Sequence, residues 1–175
     1  LQSAYLCNAN KVHQASLSEL KPEALSFEPL TQEESFNALN PDKPIIVCIP
    51  NESDENATHS LGIINQLLAL IQNLIKQDKP QALYLLTENL IKENDKPLSL
   101  TAGTLLGFVK TTLLEQPQLT IKLLDAKAEE ALTLLSLSQA KPAEPILAFK
   151  DGQLLNHRLL DYPTAQAQQD YLAVP

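Results

Sequence analysis

The chain has 175 residues, of which 44% are hydrophobic and 19% charged, and this composition suits one globular domain with its own core. Its 13 basic and 21 acidic residues leave a net charge of -8. Because nucleic acids and anionic membranes attract positive surfaces, we predict that neither is a partner. Two cysteines in a chain of this length do not form a disulfide framework, so a reducing, cytoplasmic location is expected.

Residues 1–42 are predicted to form an N-terminal strand and linker region. AYLC, residues 4–7, is a short candidate strand, and the segment after it is rich in Ser, Glu, Asn and Pro. Within it, TQEESFNAL (31–39) is a candidate short helix. Thr31 is its candidate cap, with Glu34 three residues later, as in a capping box.

Strands and helices alternate in the rest of the chain, residues 43–175. The predicted strands are 43–50, 81–87 and 118–125, the predicted helices are 61–77, 99–116 and 127–139, and a hairpin is predicted over 144–160. The strands are nearly continuous apolar runs, as in strands buried on both faces. Asp151-Gly152 joins the two arms of the hairpin and is typical of a two-residue turn. The pattern predicts an α/β fold with a mostly parallel sheet covered by helices.

Glycine is scarce where a nucleotide-binding fold needs it. A phosphate loop requires glycines so that the backbone can approach a pyrophosphate, and the turn after IIVCIP, residues 51–56, has none and carries three acidic residues. The turn after ALYLLT lacks glycine as well. Gly103 and Gly107 have a GxxxG spacing, which we interpret as close packing of a helix on the sheet. We therefore predict no cofactor-binding site in this chain.

No other constellation predicts chemistry. The histidines lie far apart without metal-ligand spacing, no nucleophile-elbow motif occurs, and Tyr84 is expected in the core. We predict no catalytic residue and no metal site. Asp125, at the end of a predicted strand, is open to two interpretations. It could contact the ribose of a nucleotide, or cap the helix that follows, and the cap preference of Asp favours the second.

Several short sequence features follow one another in a specific order over residues 43–160. A strand ends in Thr, a helix carries Gly, Lys and Glu before a Pro, a strand ends in Asp, and a hairpin carries Lys, Asp-Gly and a later Arg. In this order the chain resembles the structural subdomain of the ketoreductase region of modular polyketide synthases. The residues that carry the resemblance are Thr87, Gly107, Lys110, Glu115, Pro117, Asp125, Glu144, Ala148, Lys150, Asp151, Gly152, Arg158 and Leu159. The chain departs from the family pattern at Leu106, where Trp is common, and at Lys110 and Lys150, where Arg is usual.

The resemblance implies a truncated Rossmann-like, three-layer α/β fold with a mostly parallel sheet and a C-terminal β-hairpin. It also implies a structural role for Thr87, Gly107, Glu115, Pro117, Asp125, Asp151 and Gly152. The chain would be the non-catalytic half of a ketoreductase within a multienzyme transferase. Its expected partners are a downstream catalytic subdomain, which would bind NADPH, and neighbouring synthase domains.

The two ends of the chain lead to the same expectation. It starts without Met and stops at DYLAVP, so we expect a segment of a longer polypeptide. The alternative is a free-standing small α/β binding module that holds an unknown ligand at the carboxyl ends of its strands. A GGxGxxG loop soon after Pro175 would favour the first function, and a stop codon the second.

Overall fold

The computed structural model describes residues 3–7, 26–29, 43–49, 57–76, 81–88, 90, 100–141 and 143–156. These residues form seven strands: β1 Ser3–Cys7, β2 Ser26–Pro29, β3 Ile45–Cys48, β4 Leu83–Thr87, β5 Ile121–Asp125, β6 Ile146–Lys150 and β7 Gln153–Asn156. They form three α-helices: α1 Ala57–Ile75, α2 Leu100–Glu115 and α3 Ala131–Gln139. A 3-10 turn, Ala128–Glu130, leads directly into α3.

All seven strands belong to one sheet in the order β2-β1-β3-β4-β5-β6-β7. Every neighbouring pair from β2 to β6 is parallel, and only β7 runs antiparallel, as the second arm of the hairpin with β6. The predicted mostly parallel sheet with a C-terminal hairpin is confirmed. β1 pairs directly with β3, so the strands of the N-terminal region join the same sheet as the rest of the described chain.

Helices cover both faces of the sheet, which gives the predicted three layers. Alternate residues of the central strands pack with Leu70 of α1 and Leu105 of α2 in one buried cluster. The remaining strand residues, among them Tyr84, pack with Leu134 of α3 in a second cluster. Burial on both faces explains the continuous apolar runs of β3 and β4, because neither face meets water. It also raises the pKa of the Tyr84 phenol above its usual value.

The two helices on the first face are joined by a buried polar contact. The hydroxyl groups of Ser60 and Thr101 lie 3.0 Å apart in a hydrogen bond between α1 and α2. Thr101 therefore lies inside the first turn of α2. A buried hydroxyl needs such a partner, since leaving it unsatisfied costs about 1–3 kcal/mol.

One strand was not predicted. β2 has four residues, SFEP, without an apolar run, and it lies at the edge of the sheet, where a proline is tolerated because one side of the strand needs no ladder partner. The predicted helix over 31–39 lies outside the described residues. The other predicted helices are confirmed within a few residues at each end, although α1 begins at Ala57, four residues before its apolar pattern.

Candidate functional site

The carboxyl ends of the parallel strands are the place where open α/β sheets bind their ligands, so this edge is the candidate site. Thr87 and Asp125 end neighbouring strands and are register partners across β4 and β5. On its other side Asp125 lies opposite Ala148 of β6. The structure therefore brings together Thr87 and Asp125, two of the residues singled out in the sequence.

Asp125 is fully buried and faces protein groups on both sides of its carboxylate. Oδ1 accepts a hydrogen bond of 3.0 Å from the backbone N–H of Leu90, which lies in the connection after β4. Oδ2 lies 3.7 Å from Nζ of Lys150, at the end of β6. A buried carboxylate is tolerated only with such compensation, because removal from water costs several kcal/mol in the absence of a partner. The arrangement ties the ends of β4, β5 and β6 together.

The predicted cap by Asp125 on the helix that follows it is wrong. The N-cap residue of α3 is Glu130, whose side chain makes no cap hydrogen bond. The physical reason is the alternation of the strand. Asp125 follows Leu123 on the side of the sheet that α1 and α2 cover, whereas α3 packs on the opposite side. The 3-10 turn also separates the carboxylate from the start of α3.

The topological switch point of this sheet lies between β1 and β3, because β2 is added on one side of β1 and β3 on the other. Dinucleotides bind at this point in doubly wound folds, cradled by the loops that follow the two strands. Those loops, residues 8–25 and 50–56, lie outside the described residues. Their sequences contain no glycine, since the first glycine of the chain is Gly62.

Lys122 is a buried cation that the sequence analysis did not single out. Its Nζ donates to the backbone oxygens of Ser138 and, at 2.6 Å, of Lys141, at the end of α3. A cation there compensates the carbonyl groups and the negative end of the helix dipole. Burial lowers the pKa of the Lys122 ammonium below its usual value. Lys122 could have been identified in the sequence because it is a lysine inside the apolar run IKLLD, a strand that is buried on both faces.

The described part of the chain contains neither a candidate metal cluster nor a candidate membrane-spanning helix. No group of three or more His, Cys, Asp and Glu residues there could hold a metal ion. Among the same residues, no helix is both long and apolar enough to span a bilayer. Cys48 is buried in the second core cluster, as expected from its place in an apolar strand.

The chain matches a protein family described as "Polyketide synthase extender module SpnB, Rossmann fold domain" over residues 8–159. The match spans six of the seven strands and begins directly after β1. The chain belongs to this family. The fold predicted from the resemblance, a Rossmann-like domain of a polyketide synthase module, is thereby confirmed. Comparison with curated protein sequences finds no match.

Among solved structures, the chain is similar to one titled "Adenylation, ketoreductase, and pseudo Asub multidomain structure of a keto acid-selecting NRPS module". The identity is 12% and the TM-score 0.48. The similarity covers 89% of this chain but only 17% of the other, so this Rossmann domain spans a small part of that multidomain protein.

The glycines of α2 do not have the predicted role in this Rossmann domain. Gly103 and Gly107 are exposed, and a methyl group added at either position would meet no atom within 4 Å. The predicted close packing of the GxxxG pair on the sheet is therefore wrong. Ala102, Leu105 and Val109 contact the core instead, because they lie on the opposite side of the helix.

Four other residues that carry the resemblance lie at or just beyond the ends of elements: Glu115, Pro117, Asp151 and Gly152. Glu115 is the last residue of α2 and is exposed, and Pro117 follows two residues later, where a proline stops a helix. Asp151 and Gly152 form the turn of the β6–β7 hairpin, with positive φ angles of 50° and 74°. Two positive values are the signature of the type I′ turn that Asp-Gly favours, so this prediction is confirmed. Arg158 and Leu159 lie outside the described residues.

Proposed function

We propose that the chain is the non-catalytic structural half of a polyketide synthase ketoreductase. In this role it supports a downstream catalytic subdomain that binds NADPH and reduces β-keto intermediates held on an acyl carrier, in a cytoplasmic multienzyme of the transferase class. The observation that carries the proposal is the environment of the Asp125 carboxylate. Asp125, at a position where α/β sheets hold ligands, is fully buried and faces Leu90 and Lys150.

The sequences of the two loops at the switch point support the same proposal. A pyrophosphate needs a glycine loop and a positive or neutral helix start, whereas residues 50–56 contain Glu52, Asp54 and Glu55 and no glycine. Acidic side chains there would repel a phosphate. We therefore assign cofactor binding to the catalytic subdomain and none to this chain.

The exposed side of α2 is the surface we assign to the catalytic subdomain. Leu100 and Leu114 are 51% and 85% exposed, and Gly103 and Gly107 lie between them on the same side of the helix. Two glycines leave the backbone accessible, so a partner can approach closely between the two leucines. An apolar surface of this kind on a folded domain favours contact with another domain.

The test has two arms. The proposal predicts a GGxGxxG loop in the coding sequence beyond Pro175, and the catalytic subdomain that carries it is produced separately. Calorimetry of the 175-residue chain with NADPH should give no binding heat, while adding the chain to the catalytic subdomain should raise the rate of NADPH-dependent reduction of a β-ketoacyl thioester. Micromolar binding of NADPH by the chain alone would refute the proposal. A catalytic subdomain whose reduction rate does not change when the chain is added would refute it as well.

A matched pair of variants tests the assigned surface. Gly107→Trp on α2 should weaken the stimulation of the catalytic subdomain, because the ring fills the space between the two leucines. Gly62→Trp on α1 is the control, since that glycine is also helical, exposed and without neighbours within 4 Å. Equal effects of the two substitutions would remove α2 as the contact surface.

A further inference from the structure

Helix α1 carries a seam of exposed apolar side chains. Leu61, Leu68 and Ile75 are 59%, 42% and 40% exposed, although all three belong to a helix whose other side forms the core. Asn65 and Gln72, also exposed, lie between them. The five positions follow one another in steps of four, three, four and three residues, the spacing of the contact seam of a coiled coil.

The helix that carries this seam has no acidic or basic residue, apart from His59, in its 19 residues. This is unusual in a chain with a net charge of -8. Depletion of charge marks the centre of protein–protein interfaces, where a desolvated charge would be costly. Two copies of so acidic a chain repel each other over most orientations, but contact through α1 would bring no like charges together.

The three apolar positions of the seam are spaced symmetrically about Leu68. Leu61 precedes it by seven residues and Ile75 follows it by seven. If two such helices pair antiparallel about a two-fold axis at Leu68, the Leu68 side chains of the two copies contact each other. Leu61 of each copy then contacts Ile75 of the other, so this contact is made twice. The side-chain amides of Asn65 and Gln72 then face each other across the pair, and each can both donate and accept a hydrogen bond. A self-complementary seam of this kind fits a second copy of the same chain.

We propose that the seam formed by Leu61, Asn65, Leu68, Gln72 and Ile75 pairs antiparallel with the same seam of a second copy of this chain. A helix of 19 residues is about 28 Å long, so one helix pair buries less than the roughly 1,200–2,000 Å² of a stable interface. The dimer is therefore weak and reversible, with a Kd of roughly 10 µM to 1 mM. This proposal does not rest on the proposed function, which uses α2.

Sedimentation velocity of the 175-residue chain tests the association directly. The weight-average sedimentation coefficient should rise across that concentration range. Leu68→Glu should weaken association at least about tenfold, because it removes an apolar contact and places two carboxylates on the symmetry axis. Gln66→Glu adds the same charge two residues earlier, on another side of the helix, and should leave the Kd within about twofold. A chain that stays monomeric at about 1 mM, or equal effects of the two substitutions, would overturn the proposal.

A cysteine variant tests the axis without depending on the folding of Leu68→Glu. Leu68→Cys should form a disulfide-linked dimer under mild oxidation, because the two thiols lie together at the symmetry axis. Gln66→Cys is the control, and it also accounts for any reaction of the two native cysteines. Preferential cross-linking through Leu68→Cys supports the antiparallel pair. Equal cross-linking of both variants, or of neither, contradicts it.

Discussion

Asp125 and Leu90 are joined by a hydrogen bond of 3.0 Å in which the Leu90 backbone N–H donates to the Asp125 carboxylate. The bond spans 35 residues of sequence and ties the connection after β4 to the end of β5. It places the carboxylate in the role of a structural acceptor at an edge where related folds hold ligands.

Asp125→Ala should lower the free energy of unfolding by about 1–3 kcal/mol, because the Leu90 N–H loses its acceptor and Lys150 loses its nearby carboxylate. Urea denaturation measures the change. Glu115→Ala, which removes an exposed carboxylate, is the control and should change stability by less than about 0.5 kcal/mol. If the two substitutions have similar small effects, the contacts of Asp125 make no net contribution to the free energy of unfolding.

Gly107→Ala should raise the free energy of unfolding by about 0.5–1 kcal/mol, because alanine favours a helix and the added methyl meets open space. Thermal denaturation of the isolated chain detects this gain. A loss of stability would mean that the helix packs closely at this position after all.

Gly152→Ala should have the opposite sign and cost about 1–2 kcal/mol, because the positive φ of 74° is strained for a residue with a Cβ. Gly152→Asn should cost less, since asparagine tolerates this region of backbone conformation better. The two variants are compared by their urea midpoints. Equal losses would show that contacts of the side chain, and not backbone strain, decide the effect.

Lys122→Met should lower stability by about 1–2 kcal/mol at neutral pH, because the bonds from Nζ to the end of α3 are lost while the aliphatic volume is kept. The folded pKa of Lys122 is below that of the unfolded chain, so between these two values the unfolded state binds more protons. The stability contributed by Lys122 therefore rises as the pH increases through that window.

The measurement for Lys122 is the difference in unfolding free energy between the native chain and Lys122→Met from about pH 7 to about pH 10, a range that approaches the ordinary lysine pKa. The other titrating groups are common to both proteins and cancel in the difference, which should grow with pH. A difference that shrinks over this range would show that the folded site favours the charged ammonium.

Local sequence patterns determined which segments form the central strands and helices. The continuous apolar runs of β3 and β4 indicated burial on both faces, and Asp151-Gly152 indicated the hairpin turn, because these signals depend only on neighbours in sequence. The order of strands and helices was likewise sufficient for the α/β class. β2 was missed because four residues at the edge of a sheet need no apolar run.

Only the tertiary structure decided what the side chains at the ends of these elements contact. A sequence cannot tell on which side of the sheet α3 packs, so the cap assigned to Asp125 was wrong, and its partner, Leu90, is distant in sequence. The GxxxG spacing of α2 was equally compatible with packing and with exposure, and the rotation of the helix on the sheet put Gly107 outside. That rotation follows from long-range packing of Leu105 and Val109 in the core, which local sequence patterns do not encode.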